Sequence, residues 1–202
     1  LHLFTLARFG KWQEILDAPA IDSSLVYSSA MASYARGMAL AGLDRADEAE
    51  KELRVVAKTA KDPEMKTFSL VSVGSTGADL LSVAALVLEG EIATTREDWK
   101  TAIRAFEAGV VKQDGLTYSE PPPWYFPIRD ALGRAYLGAG KPAEAEKVYR
   151  KQLEITPRNG WSLYGLKTAL AAQNKKELAA EVDRQFDKAW QRADVEITAS
   201  VF

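Results

Sequence analysis

The chain has 202 residues, enough for one ordinary domain or a short array of smaller units, and its 47% hydrophobic content is ample for a core. Its 26 Lys and Arg nearly cancel its 28 Asp and Glu, and a net charge of −2 argues against partners held by a long-range field, such as nucleic acid. With no cysteine and a single histidine, His2, the chain lacks the parts for disulfides, thiolate metal sites, cysteine nucleophiles and multi-histidine centres, so no metal or cofactor is expected.

The chain opens Leu1-His2-Leu3-Phe4 without an initiator Met and is expected to be a trimmed piece of something longer. Ala7-Arg8-Phe9-Gly10-Lys11-Trp12-Gln13-Glu14-Ile15-Leu16 reads as the turn and second helix of a truncated repeat over 1–20. The next repeat, 23–62, carries Gly37, then Ala49 twelve residues on and Leu53 four beyond that. An insertion over 63–77 is marked by Asp62-Pro63 and by Gly74-Ser75-Thr76-Gly77. No Lys follows that second glycine and no strand pattern precedes it, so it reads as a flexible loop and not a phosphate cradle.

In the repeat 78–114 the same spacing recurs with Gly90, Ala102 and Phe106. Its apolar run, 80–88, stops at Glu89 and is too short to cross a bilayer, so no membrane insertion is expected. Thr95 and Asp98 read as a capping box for the helix that follows. The second insertion, 115–125, holds Tyr118-Ser119-Glu120-Pro121-Pro122-Pro123, whose prolines favour an extended form. The repeat 126–158 has Gly133, Ala145 and Tyr149, with Pro142 placed for a first helical turn after Gly140. The last repeat, 159–192, starts from Asn159 as N-cap, with Lys167 in the glycine place and Ala179 twelve residues later. The tail 193–202 lacks a helix signal and reads as packed or disordered.

The first positions of the four copies are 53, 43 and 34 residues apart. Their physical meaning is a set of antiparallel helix pairs in which glycine and alanine let two backbones approach, while Leu, Phe or Tyr fills the next layer. The clearest copy is Leu132-Gly133-Arg134-Ala135-Tyr136, Gly140, Ala145, Tyr149 and Pro157. It resembles the tetratricopeptide repeat, with Arg129 where that family usually has Trp and Gln152 where it has Ala. The resemblance implies an all-α fold, a right-handed superhelix of antiparallel helix pairs with about nine or ten helices. Residues 120–129 together with 159–166 resemble a group of bacterial members of that family without established activity.

In that family the concave groove binds a protein or an extended peptide. Its groove places, carried over, fall on Met31, Tyr34 and Met38; Val87, Glu91 and Thr94; Asp130 and Arg134; and Trp161, Tyr164 and Thr168. The Lys and Asn set that holds chaperone carboxylate tails in some members is missing here. Glu120-Pro121-Pro122-Pro123-Trp124-Tyr125-Phe126-Pro127 reads either as a linker covering the core or as a rim that offers Trp124 or Tyr125 for stacking. Glu89 and Arg129 both occupy places that are usually buried, and are expected to pair with each other. The leading expectation is thus a non-enzymatic binding scaffold. A small-molecule or glycan binder using the aromatic residues is the alternative, ahead of an enzyme using Glu89, Glu91 or Asp130. The sequence fixes neither oligomeric state nor compartment.

Overall fold

The computed structural model describes residues 2–70 and 74–201, with Leu70 described by its backbone only. Residues 71–73 of the first insertion and Phe202 of the tail lie outside the described residues. The described chain is helical apart from one short ribbon, and its helices gather into two compact units. Leu1–Phe126 contains α1 (His2–Arg8), α2 (Trp12–Leu16), α3 (Val26–Gly42), α4 (Ala46–Thr59), α5 (Pro63–Thr67), α6 (Gly77–Thr95) and α7 (Trp99–Asp114). Pro127–Phe202 contains α8 (Ile128–Gly138), α9 (Pro142–Ile155), α10 (Gly160–Ala172) and α11 (Lys176–Trp190). The short helices α1, α2 and α5 bring the described total above the number expected from the repeat pattern.

Five helix pairs turn in one way. Gly10, Asp44, Glu97, Gly140 and Asn174 sit at the bend of α1/α2, α3/α4, α6/α7, α8/α9 and α10/α11, each with φ between 55° and 69°. In each turn the next residue donates its N–H to a carbonyl five back: Lys11 to Leu6, Arg45 to Leu40, Asp98 to Ala93, Lys141 to Tyr136 and Lys175 to Leu170, at 2.8–3.0 Å. This is the Schellman closure, which satisfies the orphan carbonyls of the first helix and aims the chain back along itself. The bends are 34, 53, 43 and 34 residues apart, so the first helix pair continues the period of the others. Two helix starts are those expected: Asn159 caps α10 by accepting from the Trp161 N–H, and Pro142 stands in the first turn of α9.

Two local expectations need correction. Thr95 does not cap α7: it is the last residue of α6, and its hydroxyl donates to the carbonyls of Ala41 and Glu91, both at 3.1 Å. Asp98 alone caps α7, accepting from the Thr101 N–H. Nor is Gly74-Ser75-Thr76-Gly77 an unstructured loop. Strand β2 (Ser75–Thr76) pairs antiparallel with β1 (Ser69–Leu70), and Thr76 with Asp79 forms a reciprocal capping box at the start of α6. A β-branched cap and an aspartate three residues on, just ahead of an apolar run, carry that signal in the sequence.

In the first unit α6 is the central element, packed against α3, α4 and α7, which explains why it is apolar nearly all round. Gly90 lets the ring of Phe106 lie on the α6 backbone: a Cβ there would meet Phe106 carbons at 2.5–2.7 Å. Gly37 admits Leu88 of α6 rather than the expected Leu53, with Leu88 Cδ2 at 2.5 Å from a built Cβ. In the second unit Tyr149 of α9 is wedged between two glycines, Gly133 of α8 and Gly165 of α10. The last copy keeps the sixteen-residue spacing but changes the chemistry, pairing Lys167 with Asp183 at 2.6 Å. A second link in this unit is Glu146, which accepts from Arg150, Gln173 and Lys175 at 2.7–2.9 Å and so ties α9 to the α10/α11 turn. Burial pushes its pKa up, but hydrogen bonds from Lys175, Arg150 and Gln173 outweigh that and hold it at about 2.

Gly165→Ala is expected to destabilise the protein by about 1–3 kcal/mol, because the trapped Tyr149 ring cannot retreat from the new methyl. Gly115→Ala is the control, since a Cβ there meets nothing nearer than 3.6 Å and φ is −85°. Urea unfolding that ranks the two equally would reject the ring-on-backbone account. Glu97→Gly should raise stability by about 0.5–1 kcal/mol, since exposed Glu97 holds φ 55°. A fall in the urea midpoint would show that the Glu97 side chain supports its turn.

Candidate functional site

On α3 the spacing of Met31, Tyr34 and Met38 puts all three on one helix face. That face was expected to be open. Instead Met31, Tyr34 and Met38 are buried, as are Val87 and Glu91 of α6, while Thr94 turns its hydroxyl to the Gly90 carbonyl. Part of the cover is a strap of the chain itself, residues 118–126. Tyr125 stacks on Phe4 at 4.9 Å and 9°, and its hydroxyl shares a 2.9 Å hydrogen bond with that of Tyr34. Trp124 lies 5.5 Å from Tyr34, and Phe126 meets Tyr125 edge-on at 4.9 Å. Burial drives the phenols of Tyr34 and Tyr125 well above the ordinary tyrosine range, so both stay protonated.

The strap is held by side chains. Gln113 Nε2 donates to the Phe126 carbonyl at 2.9 Å, while Ser119 and Tyr118 bond only within the strap, to the Pro121 carbonyl and the Glu120 carboxylate. Trp124 is 4% exposed, and its Nε1–H has no acceptor among the described residues, an omission worth about 1–3 kcal/mol. The rim reading is thereby corrected: Trp124 and Tyr125 turn their rings to one another, to Tyr34 and to Phe4, because proline fixes the approach and apolar burial does the rest. Glu89 is answered within its own helix pair, by Arg104 at 2.6 Å, with about a third of the Glu89 side chain exposed. The premise behind a Glu89–Arg129 pair, a lone buried carboxylate, does not hold.

In the second unit Asp130 is fully buried and structural. Its carboxylate accepts from Ser162 Oγ at 2.6 Å and Asn159 Nδ2 at 3.2 Å. The Asp130 carbonyl accepts from Ser200 Oγ at 2.9 Å, and that oxygen is 2.7 Å from the Tyr149 hydroxyl. One residue therefore joins α8, the start of α10, and the tail, whose Ile197, Ser200 and Val201 are buried. The tail is thus packed. Burial raises the Tyr149 pKa, keeping it a neutral hydroxyl here.

The other positions expected at the groove keep surface. Arg134, Trp161 and Tyr164 are half-buried and Thr168 is exposed. Trp161 meets Trp190 edge-on at 4.9 Å, and Tyr164 meets Phe186 at 5.9 Å. Lys167 Nζ lies over the Tyr164 and Phe186 rings, at 4.9 and 4.5 Å. Phe4, Gln113, Ser162 and Ser200 were missed as participants, since each acts through contacts distant in sequence.

Asp130→Ala should lose about 3 kcal/mol of stability, because Ser162 and Asn159 are left facing an empty buried site, while Asp130→Asn should lose less. A thermal melt indifferent to both substitutions would remove Asp130 from its structural role.

Among the described residues no helix is long and apolar enough to cross a membrane. No curated protein and no solved structure matches the chain significantly. A family model for the tetratricopeptide repeat matches residues 129–160, which span α8, α9 and the cap of α10. This repeat type serves in general as a scaffold for protein interaction. Residues 129–160 are thus similar to a tetratricopeptide repeat, and the other helix pairs of the chain turn in the same way.

Proposed function

We propose that the protein is a non-enzymatic scaffold that takes an extended segment of a protein partner on the α8–α10 face of its second unit. The observation that carries this reading is the combination found there. Arg134, Trp161, Tyr164 and Thr168 keep surface above a floor fixed by Asp130, Ser162 and Asn159. A fixed floor lowers the ordering entropy lost on binding, and half-buried aromatic rings with an arginine are the usual anchors of an interface. Two of the three carboxylates that an enzyme reading would use already have structural work: Asp130 holds α10, and Glu89 pairs with Arg104.

A displayed random-peptide library selected on the immobilised protein would test this. Peptides enriched on the wild type are expected to bind Arg134→Gln/Thr168→Glu at least about tenfold more weakly by fluorescence anisotropy, at an unchanged melting temperature. Equal binding by the two proteins, or no enriched peptide, would reject the proposed face.

A further inference from the structure

The strap over the first unit has the features of an occupant rather than of a core element. It covers Tyr34, a position the repeat assigns to ligand contact, and it does so with Trp124 and Tyr125. Core segments of this fold are tied down by backbone hydrogen bonds in helices and turns. Between Thr117 and Phe126 no described backbone–backbone hydrogen bond forms, and the anchors outside the strap include Gln113 Nε2 on a carbonyl, one shared hydroxyl bond, the Arg8 guanidinium 5.8 Å from the Phe126 ring centre, and ring contacts. Its leading half stands in solvent: Tyr118 is 83% exposed, and Pro121 and Pro122 are exposed. The seat is also imperfect, since the buried Trp124 Nε1–H lacks an acceptor among the described residues and would recover a hydrogen bond to water on leaving.

We infer that residues 118–126 are an internal ligand of the α1–α3–α6 face, and that the partner this face takes is an extended peptide of the same chemistry, proline-led and then aromatic. The inference rests on the peptide-scaffold reading and adds a second face, in the first unit, with its own ligand class. A proline-led segment loses little backbone freedom when it docks, which suits binding through rings without a hydrogen-bonded ladder. The strap is tethered at both ends, by α7 and by α8, so it competes at a high effective concentration. An external peptide therefore binds the wild type weakly and binds better once the strap is loosened.

The test uses the full chain and a fluorescein-labelled peptide with the sequence of residues 118–128, followed by anisotropy. Pro122→Gly/Pro123→Gly adds freedom to the displaced strap without touching its rings, and is expected to tighten peptide binding about three- to tenfold. Trp124→Ala/Tyr125→Ala empties the seat and should tighten binding at least about tenfold over wild type. In both variants hydrogen exchange across α3 should slow when the peptide binds. If the ring variant is unfolded at the assay temperature, the proline variant decides the matter alone. Equal affinity for wild type and the proline variant would overturn the inference. Binding abolished by Arg134→Gln/Thr168→Glu, with α3 exchange unchanged, would place the peptide on the second unit; that sinks the inference and leaves the scaffold reading standing. Absence of binding by folded, loosened protein also refutes the internal ligand, while the library selection judges the scaffold reading separately.

Discussion

A ring lying on a glycine backbone governs most of the second unit. Tyr149 can sit between α8 and α10 only because Gly133 and Gly165 have no side chains. That position delivers its hydroxyl to Ser200 and places Ser200 on the Asp130 carbonyl. Asp130 in turn holds Ser162 and the N-cap Asn159, so the start of α10 and the course of the tail follow from the same wedge. Overpacking either glycine would move the ring and misplace a polar network that is out of water, where an unmet partner is expensive. Phe106 makes the corresponding contact against Gly90 in the first unit, but without a hydroxyl to pass the constraint onward. There the polar closure comes instead from the Tyr34–Tyr125 hydroxyl pair.

The last helix pair shows the same spacing answered by other chemistry. Lys167 and Asp183 replace glycine and ring, and the lysine ammonium lies over the rings of Tyr164 and Phe186. With the Asp183 side chain half exposed, the ion pair itself contributes little. The cation–π contact of the ammonium with two rings is the larger effect. The close approach of this pair falls instead at Gly160 of α10, where a Cβ would meet the Trp190 ring of α11 at 2.2–2.4 Å.

Glycine, alanine and the bulky residue beyond them lie at fixed offsets, so the sequence carries the helix pairs and their boundaries plainly. The bends are harder to read. Gly10 and Gly140 announce a left-handed residue, but Asp44, Glu97 and Asn174 take the same conformation without the glycine that would signal it. Aspartate and asparagine tolerate that region; the glutamate is held there by the hydrogen bonds closing the turn. The candidate site was legible as positions and not as exposure. Tyr34 and Asp130 were found by counting. Nothing local says that a strap about ninety residues away covers the first, or that a tail serine about seventy residues away closes over the second. Those pairings follow from long-range packing, to which periodicity is blind.

The two units close a ligand-type face in different ways, and the difference decides which cover can exchange. The tail is fixed by directional bonds: Trp190 Nε1 donates to the Val195 carbonyl at 2.7 Å, and Ser200 bridges Tyr149 and the Asp130 carbonyl. Lifting it would break these bonds and expose buried Ile197 and Val201 together. The strap is fixed chiefly by ring contact, with a donor left unmet. Ring contact is non-directional and scales with apolar area, so another segment of similar rings can supply it. A specific hydrogen-bond network cannot be supplied by a generic substitute. The chemistry of the cover therefore makes the tail a structural element and the strap an exchangeable one.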